Sequence, residues 1–272
     1  MQFTSRLSLA VVRDRFEEQV GGTETGALHR LADQLSEAAR VLDTERVLRR
    51  YLADPAAAES GRRGLAERVF GGKLDAAALD LLLEVVTQRW SRTTDLVDAL
   101  ESLARQALLA SAERDGALDE VEDELFRFGR VLDSESRLRE LLEDTSAPAP
   151  GRLDLLRGLL ADKVKPVTLQ LLEQAVRAPR HRSLDAVVQQ LAELAASRRN
   201  RSMAQVVAAE PLSAEQEERL ATVLSRIYGR PVSIQVEIDP EVIGGMVVRV
   251  GDEVIDGSIA TRLARASRDL PR

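Results

Sequence analysis

The chain has 272 residues, 44% of them hydrophobic and 31% charged, with a net charge of −7, no cysteine and two histidines. That balance suits a folded chain with one large core or several small ones, and the lack of cysteine excludes disulfides, thiolate zinc sites, iron–sulfur clusters and cysteine nucleophiles. Negative charge and only 3% aromatic residues argue against a binder of phosphate backbones or a base-stacking platform.

No apolar run approaches the ~20 residues of a transmembrane helix. Met1–Val20 carries Arg6, Arg13, Asp14, Arg15, Glu17 and Glu18, unlike the apolar stretch of a signal peptide. Any membrane association is therefore expected through a partner, without direct insertion. Leu7, Leu9, Val11, Val12, Phe16 and Val20 read as an opening helix. Leu28, Leu31, Leu35, Ala38 and Leu42 follow at helical spacing. Asp43-Thr44 interrupts the pattern, and Val47, Leu48, Tyr51 and Leu52 start a short helix. Pro55 marks the next break. Leu65, Val69 and Phe70 make a third helix stopped by Gly71-Gly72. Leu79–Val86 gives a fourth.

The same series then recurs. Arg40-Val41-Leu42-Asp43 returns as Arg130-Val131-Leu132-Asp133, an offset of 90 residues. At that offset Asp54 meets Asp144, Gly61-Arg62 meets Gly151-Arg152, Lys73 meets Lys163, and Leu81-Leu82 meets Leu171-Leu172. A contiguous four-residue match with paired Gly-Arg and Lys positions indicates a tandem duplication of a helical unit. The segment with Leu96, Leu100, Leu103, Ala107 and Leu108 runs on to Asp115-Gly116. It reads both as the last helix of the first bundle and as the first helix of the second.

The chain changes character near Asn200. Met203–Val207 reads as a strand, and Ser213-Ala214-Glu215-Gln216 is a capping box opening a helix with Leu220, Val223, Leu224 and Ile227. Val232, Ile234, Val236 and Ile238 alternate with polar residues, the period of a strand buried on one face. Met246–Val250 and Val254-Ile255 add two more strands, and a terminal helix spans Ser258–Leu270 with Arg262, Arg265 and Arg268 on its basic side. The expected architecture is mainly α: two tandem antiparallel helical bundles, 1–103 and 104–200, followed by a small α+β domain, 201–272.

Candidate chemistry is sparse. Gly244-Gly245 precedes a strand, lacks G-x-G-x-x-G and reads as a turn rather than a phosphate loop. His29 has no second histidine at helical spacing and reads as an exposed helix residue. His181, between Arg180 and Arg182, reads as a loop or helix start. The carboxylates spread along solvated helix faces without a distinct acid–base pair. Arg198-Arg199-Asn200-Arg201 is a basic cluster suited to a helix C-terminus or to an anionic partner. Trp90 reads as a half-buried anchor. No catalytic residue, cofactor site or metal site emerges.

The stretch from Pro231 to Gly251, PVSIQVEIDPEVIGGMVVRVG, followed by DEVIDGSIATR up to Arg262, resembles the signature of the delta subunits of F-type ATP synthases, whose mitochondrial counterpart is the oligomycin-sensitivity-conferring protein. The matching positions include Asp239, Gly244, Gly245, Arg249, Gly251, Asp256, Gly257 and Arg262. The resemblance covers about Ala104–Arg272, so the first hundred residues are an added copy of the bundle, as in long actinobacterial-like forms. It implies a non-catalytic stator subunit, one copy per complex, on the cytoplasmic face of the cell membrane, joining the catalytic head to the peripheral stalk in support of proton-driven ATP synthesis. It implies an apolar groove for the N-terminal helix of an alpha subunit at Leu103, Ala107, Leu108, Leu184, Val187, Val188 and Leu191, and b subunits meeting the α+β domain. It implies no cofactor and no nucleic acid. A generic helical adaptor is the second reading, and an enzyme the third.

Overall fold

In a computed structural model the chain is described over residues 2–177, 183–201, 203–228, 232–239, 245–250 and 253–256. It divides into two compact units, Met1–Glu193 and Leu194–Arg272, each built around its own core.

The first unit holds the helices of both bundles up to the first part of the last helix, which continues into the second unit. Helix α1 (Phe3–Val20), α2 (Thr25–Thr44), α3 (Arg46–Leu52), α4 (Glu59–Phe70) and α5 (Ala76–Thr87) lead into α6 (Thr93–Arg114). The series repeats as α7 (Leu118–Ser134), α8 (Ser136–Glu143), α9 (Ala149–Leu160), α10 (Pro166–Arg177) and α11 (Leu184–Arg201). The spans of α4 and α9, and of α5 and α10, differ by the same 90 residues as the sequence repeat. The packing follows apolar spacing: α2 buries Leu28, Leu31, Leu35, Ala38 and Leu42, and α7 buries Leu118, Val121, Leu125, Phe128 and Leu132.

Helix α6 is the element shared by the two bundles. It buries residues on nearly every side, from Leu96, Val97 and Leu100 to Leu108, Leu109 and Ala112. It packs most extensively along α2 and also touches α1, α5, α7 and α10. A helix apolar all round is one covered all round. It ends in a Schellman motif: Ala117 N–H donates to Ala112 O, Gly116 N–H to Glu113 O, and Gly116 takes φ 66°.

The α+β unit contains β1 (Met203–Ala208), α12 (Ala214–Tyr228), β2 (Ser233–Ile238), β3 (Met246–Val250) and β4 (Glu253–Asp256). Strand order is β2-β1-β3-β4. β1 and β2 are parallel, with Ala204 opposite Ile234, and α12 provides the crossover between them. β1–β3 and β3–β4 are antiparallel. Ala204, Val206, Val248 and Val250 form one apolar face against Leu224 of α12, with Val232 beside them. The capping box forms as the sequence indicates. Ser213 N–H donates to Gln216 Oε1 at 2.8 Å, and Gln216 N–H donates to Ser213 Oγ at 3.2 Å. The terminal helix expected over 258–270 lies outside the described residues.

Candidate functional site

The expected groove residues are all interior. Leu103, Ala107, Leu108, Leu184, Val187, Val188 and Leu191 each leave no more than 6% of their surface to solvent. In this conformation they are core side chains, and none of them offers an open apolar face. The reason is the double role of α6: the stripe with Leu103 and Ala107 lies on a helix that the added bundle covers.

Exposed apolar side chains of the helical unit lie elsewhere: Val47 and Tyr51 on α3, Phe126 and Val131 on α7, Leu141 on α8, and a continuous stripe on α1. Phe3, Leu7 and Val11 of α1 are 67%, 55% and 50% exposed, spaced i, i+4, i+8 on one side of the helix. The opposite side of α1 buries Val12, Phe16 and Val20. It is fastened by two buried serines. Ser5 Oγ donates to Asp95 Oδ2 at 2.6 Å and accepts from Ser91 N–H at 2.8 Å, while Ser8 Oγ donates to Arg89 O at 2.7 Å. Those bonds fix which side of α1 faces inward, and so leave the Phe3–Leu7–Val11 stripe facing out. The apolar residues that read as an opening helix thus split into an inner set, Val12, Phe16 and Val20, and an outer one with Leu7 and Val11.

Matching positions of the two copies close helix ends in the same way. Arg62 is 5% exposed and gives its guanidinium to the carbonyls of Val86 (2.5 Å), Thr87 (3.1 Å) and Gln88 (3.0 Å) at the end of α5. Arg152, 6% exposed, donates to Val176 O (2.7 Å) at the end of α10 and to Leu142 O (3.1 Å). A cation at a helix C-terminus satisfies carbonyls that have no helical partner. At the other ends, Gln34 Oε1 accepts from Asp75 N–H at 2.8 Å, and the Glu124 carboxylate accepts from Lys165 N–H at 2.9 and 3.1 Å. Asp54 and Asp144 each accept from the backbone N–H two residues on, at 2.9 Å. The side-chain hydroxyl of Ser146 and then its N–H hold the Asp144 carboxyl below the usual aspartate range. The Gly-Arg repeat is visible in the sequence, but its structural role is not.

The bundles also meet directly, across α2 and α10. His29 Nδ1 faces Gln170 Oε1 at 2.8 Å, Gln170 Nε2 donates to Asp33 Oδ1 at 2.6 Å, and His29 Nε2 meets Ser111 Oγ at 3.2 Å. His29 is half-buried and bonded at both ring nitrogens, not the exposed helix residue its spacing suggests. Beside this contact lies a cleft of about 940 Å³ between α2, α6 and α10, lined by Glu37, Arg40, Glu101, Arg105, Glu173 and Arg177 among others. Its arginines have acidic partners, Arg40 with Glu37, Arg105 with Glu101 and Arg177 with Glu173. The Arg40 hydrogen bond pulls the Glu37 carboxyl below its ordinary range, and Arg177 from the facing helix adds to that pull.

Two further residues singled out in the sequence serve the packing. Trp90 is buried rather than half-buried and donates its indole N–H to Val85 O at 2.9 Å, and Arg198 of the basic cluster is buried. Of the signature residues, Asp239 ends β2 with its N–H bonded to Ala208 O at 2.9 Å. Gly245 enters β3 at φ 79°, a left-handed turn position that suits glycine. Arg249 is exposed on β3 between Gln205 and Val254 of the neighbouring strands. Asp256 sits on β4 opposite Val247. Gly244, Gly251, Gly257, Arg262 and His181 lie outside the described residues. Among the described residues no group of three or more His, Asp or Glu is placed to hold a metal ion, and no helix is long and apolar enough to cross a membrane.

Comparison with known proteins bears directly on this arrangement. The family model described as the ATP synthase delta (OSCP) subunit matches residues 105–270. ATP synthase subunit delta of Streptomyces griseus is 44% identical over 268 residues, covering 98% of both chains. That of Streptomyces coelicolor is 45% identical over 270 residues, covering 99% of this chain and 98% of the relative. ATP synthase subunit b-delta of Mycobacterium sp. (strain KMS) is 47% identical over 271 residues, and the chain spans 61% of that relative's length. Among solved structures, a chain of the Toxoplasma gondii mitochondrial ATP synthase hexamer is 25% identical and covers 62% of this chain and 96% of its own, with a TM-score of 0.30, too low to compare folds. The Streptomyces matches run through the added first bundle as well as the family region, and by its sequence the chain belongs to the ATP synthase delta (OSCP) subunit family.

Proposed function

We propose that this chain is the peripheral-stalk subunit of an F-type ATP synthase, a non-catalytic joint between the catalytic head and the b-subunit stalk. One observation carries the reading: relatives named ATP synthase subunit delta match along 98% of their own length. In this reading the helical segments 1–103 and 104–200 face the head, sharing α6, and 201–272 faces the stalk. The name b-delta, borne by relatives that continue beyond this chain, supports a b subunit as neighbour. The chain reaches the cytoplasmic face of the membrane through the complex.

For the alpha-subunit helix the burial pattern favours the first bundle. A helix laid on the outside of the second bundle does not reach the seven interior residues and finds only the separate side chains of Phe126, Val131 and Leu141, whereas Phe3, Leu7 and Val11 present anchors at the spacing used in helix-in-groove recognition. The exposed face of Arg249 is assigned to the stalk side. The test is affinity purification of the tagged chain from gently solubilised membranes, with a photo-crosslinking residue at Leu7, Val187 or Arg249. Recovery of alpha, beta and b, with alpha crosslinked from Leu7 and b from Arg249, is the expected result. Alpha crosslinked from Val187 alone would move its helix to the second bundle. Recovery of none of these subunits would leave a generic helical adaptor.

A further inference from the structure

We propose that a clasp of His29, Asp33, Gln170 and Ser111 latches the two helical bundles into one rigid arm across the gap between α2 and α10. Both bundles share α6, but one shared helix is also an axis about which two packed bundles can rock. The α2–α10 gap is where such rocking would show, because a cleft of about 940 Å³ separates these helices beyond the clasp. The clasp sits at one end of that cleft. From there α2 runs on to Thr44 and α10 to Arg177, both lining its walls.

The hydrogen bonds order each other. Gln170 Nε2 donates to Asp33 Oδ1 at 2.6 Å, which turns its Oε1 toward His29 Nδ1 at 2.8 Å. An amide oxygen only accepts, so Nδ1 carries the hydrogen of that bond. The far ring nitrogen accepts, and the one hydroxyl hydrogen of Ser111 is shared between it at 3.2 Å and Leu108 O at 2.7 Å. Three helices, α2, α6 and α10, are thereby closed into a chain of polar contacts. The repeat shows that this is a departure and not an inherited contact. The residue matching Gln170 in the first bundle is Asp80, which bonds within its own bundle to Arg15 at 3.3 Å. In the second copy the corresponding arginine, Arg105, pairs with Glu101 instead. Gln170 thus reaches the other bundle from a position where Asp80 stays within its own. Across the cleft Arg177 also attracts Glu37, a weaker tie of the same direction.

The chain has no cysteine, so spin labels at Val47→Cys and Arg137→Cys, matching exposed positions of the two bundles, report the distance between them. The full chain is expected to give one narrow distance distribution. Gln170→Ala removes the second bundle's contribution while leaving His29 and Ser111 in place. It is expected to broaden the distribution and lower the latched population about three- to tenfold, the size of a net hydrogen bond or two, at unchanged helical circular dichroism. His29→Ala is expected to broaden it likewise. Distances unchanged in both variants would overturn the latch and assign the geometry to α6 alone. Broadening by Gln170→Ala but not by the double variant His29→Ala/Asp33→Ala, or loss of helicity in Gln170→Ala, would overturn it too, since Gln170 would then be acting on α10 and not across the gap.

Discussion

In the first bundle a buried arginine, Arg62, closes the end of α5 with three carbonyl bonds; in the second, Arg152 closes the end of α10 with one and gives the other to Leu142 O. Gln34 and Glu124 cap the starts of the same two helices, one with a neutral acceptor and one with a charged one. The faces between these ends went separate ways. Ser36 lines the cleft beside α10, while its match Phe126 is 60% exposed on α7. Val97 of α6 is buried, while its match Leu7 of α1 is open. Helix ends impose the same unsatisfied backbone groups on every copy. A face is constrained only by what covers it, and the two copies have different neighbours.

The widest consequence concerns α6. If the bundles are one body, removing residues 1–92 leaves α6 intact but strips the side that α2 covers. Leu96, Val97, Leu100 and Leu103 are fully buried, and uncovering such side chains costs about 1.5–3 kcal/mol each. That sum is comparable to the whole stability of a domain, about 5–15 kcal/mol. The shortened chain is expected to lose cooperative urea unfolding and to run as an aggregate in gel filtration. A monomer with a sharp unfolding transition would break the comparison at its root, by making the second bundle independent of the first.

Much of this plan is legible in the sequence alone. The 90-residue offset, the capping box at Ser213 and the alternation in 232–238 are local signals, and each places its element; the break at Asp43-Thr44 does not, since both residues stay in α2, and α3 starts after Glu45 with no side-chain cap. What escapes depends on contacts between distant residues. His29 and Gln170 lie 141 positions apart at unmatched places in the repeat, so no spacing rule connects them. The Gly-Arg match at 62 and 152 is plain, but an arginine within a helix reads as surface until the end of another helix is brought against it. Leu7 and Val11 read with Val12, Phe16 and Val20 as one opening helix; that the first two face out and the other three face in follows from the bonds of Ser5 and Ser8 to residues 90 and 81 positions away. The groove at Leu103 and Ala107 comes from the resemblance, and no local signal in the sequence shows α2 lying along α6 there.

The arginine pair sharpens the comparison at the next level of effect. Arg62→Met and Arg152→Met keep most of the aliphatic bulk and remove the donors. Hydrogen bonds to a charged group are worth about 1.5–3 kcal/mol, and a buried acceptor left without a donor costs about as much as the bond itself. Each substitution is expected to destabilise the chain by about 3 kcal/mol, with Arg62→Met the larger because three carbonyls lose their donor against two. Urea midpoints at constant slope measure it. Equal losses would mean that the second bundle's Leu142 contact compensates for the missing carbonyls.

The smallest expected difference lies in the turns after α4 and α9. Gly72 takes φ 77°, and its match at the same offset, Asp162, takes φ 64°. The backbone there is left-handed in both copies, which glycine enters freely and a side chain enters at a cost of about 1 kcal/mol. Asp162→Gly is therefore expected to raise stability by a few tenths to about 1 kcal/mol, less whatever the more flexible unfolded chain takes back. Gly72→Asp is expected to lower it by a similar amount, since a Cβ at Gly72 meets nothing within 4 Å and the effect is conformational alone. Opposite signs of about equal size would show that the two turns are interchangeable parts of one duplicated unit. A large loss at Gly72 with no gain at Asp162 would show that the aspartate has acquired a local partner that offsets its strain, and that even this turn has diverged between the copies.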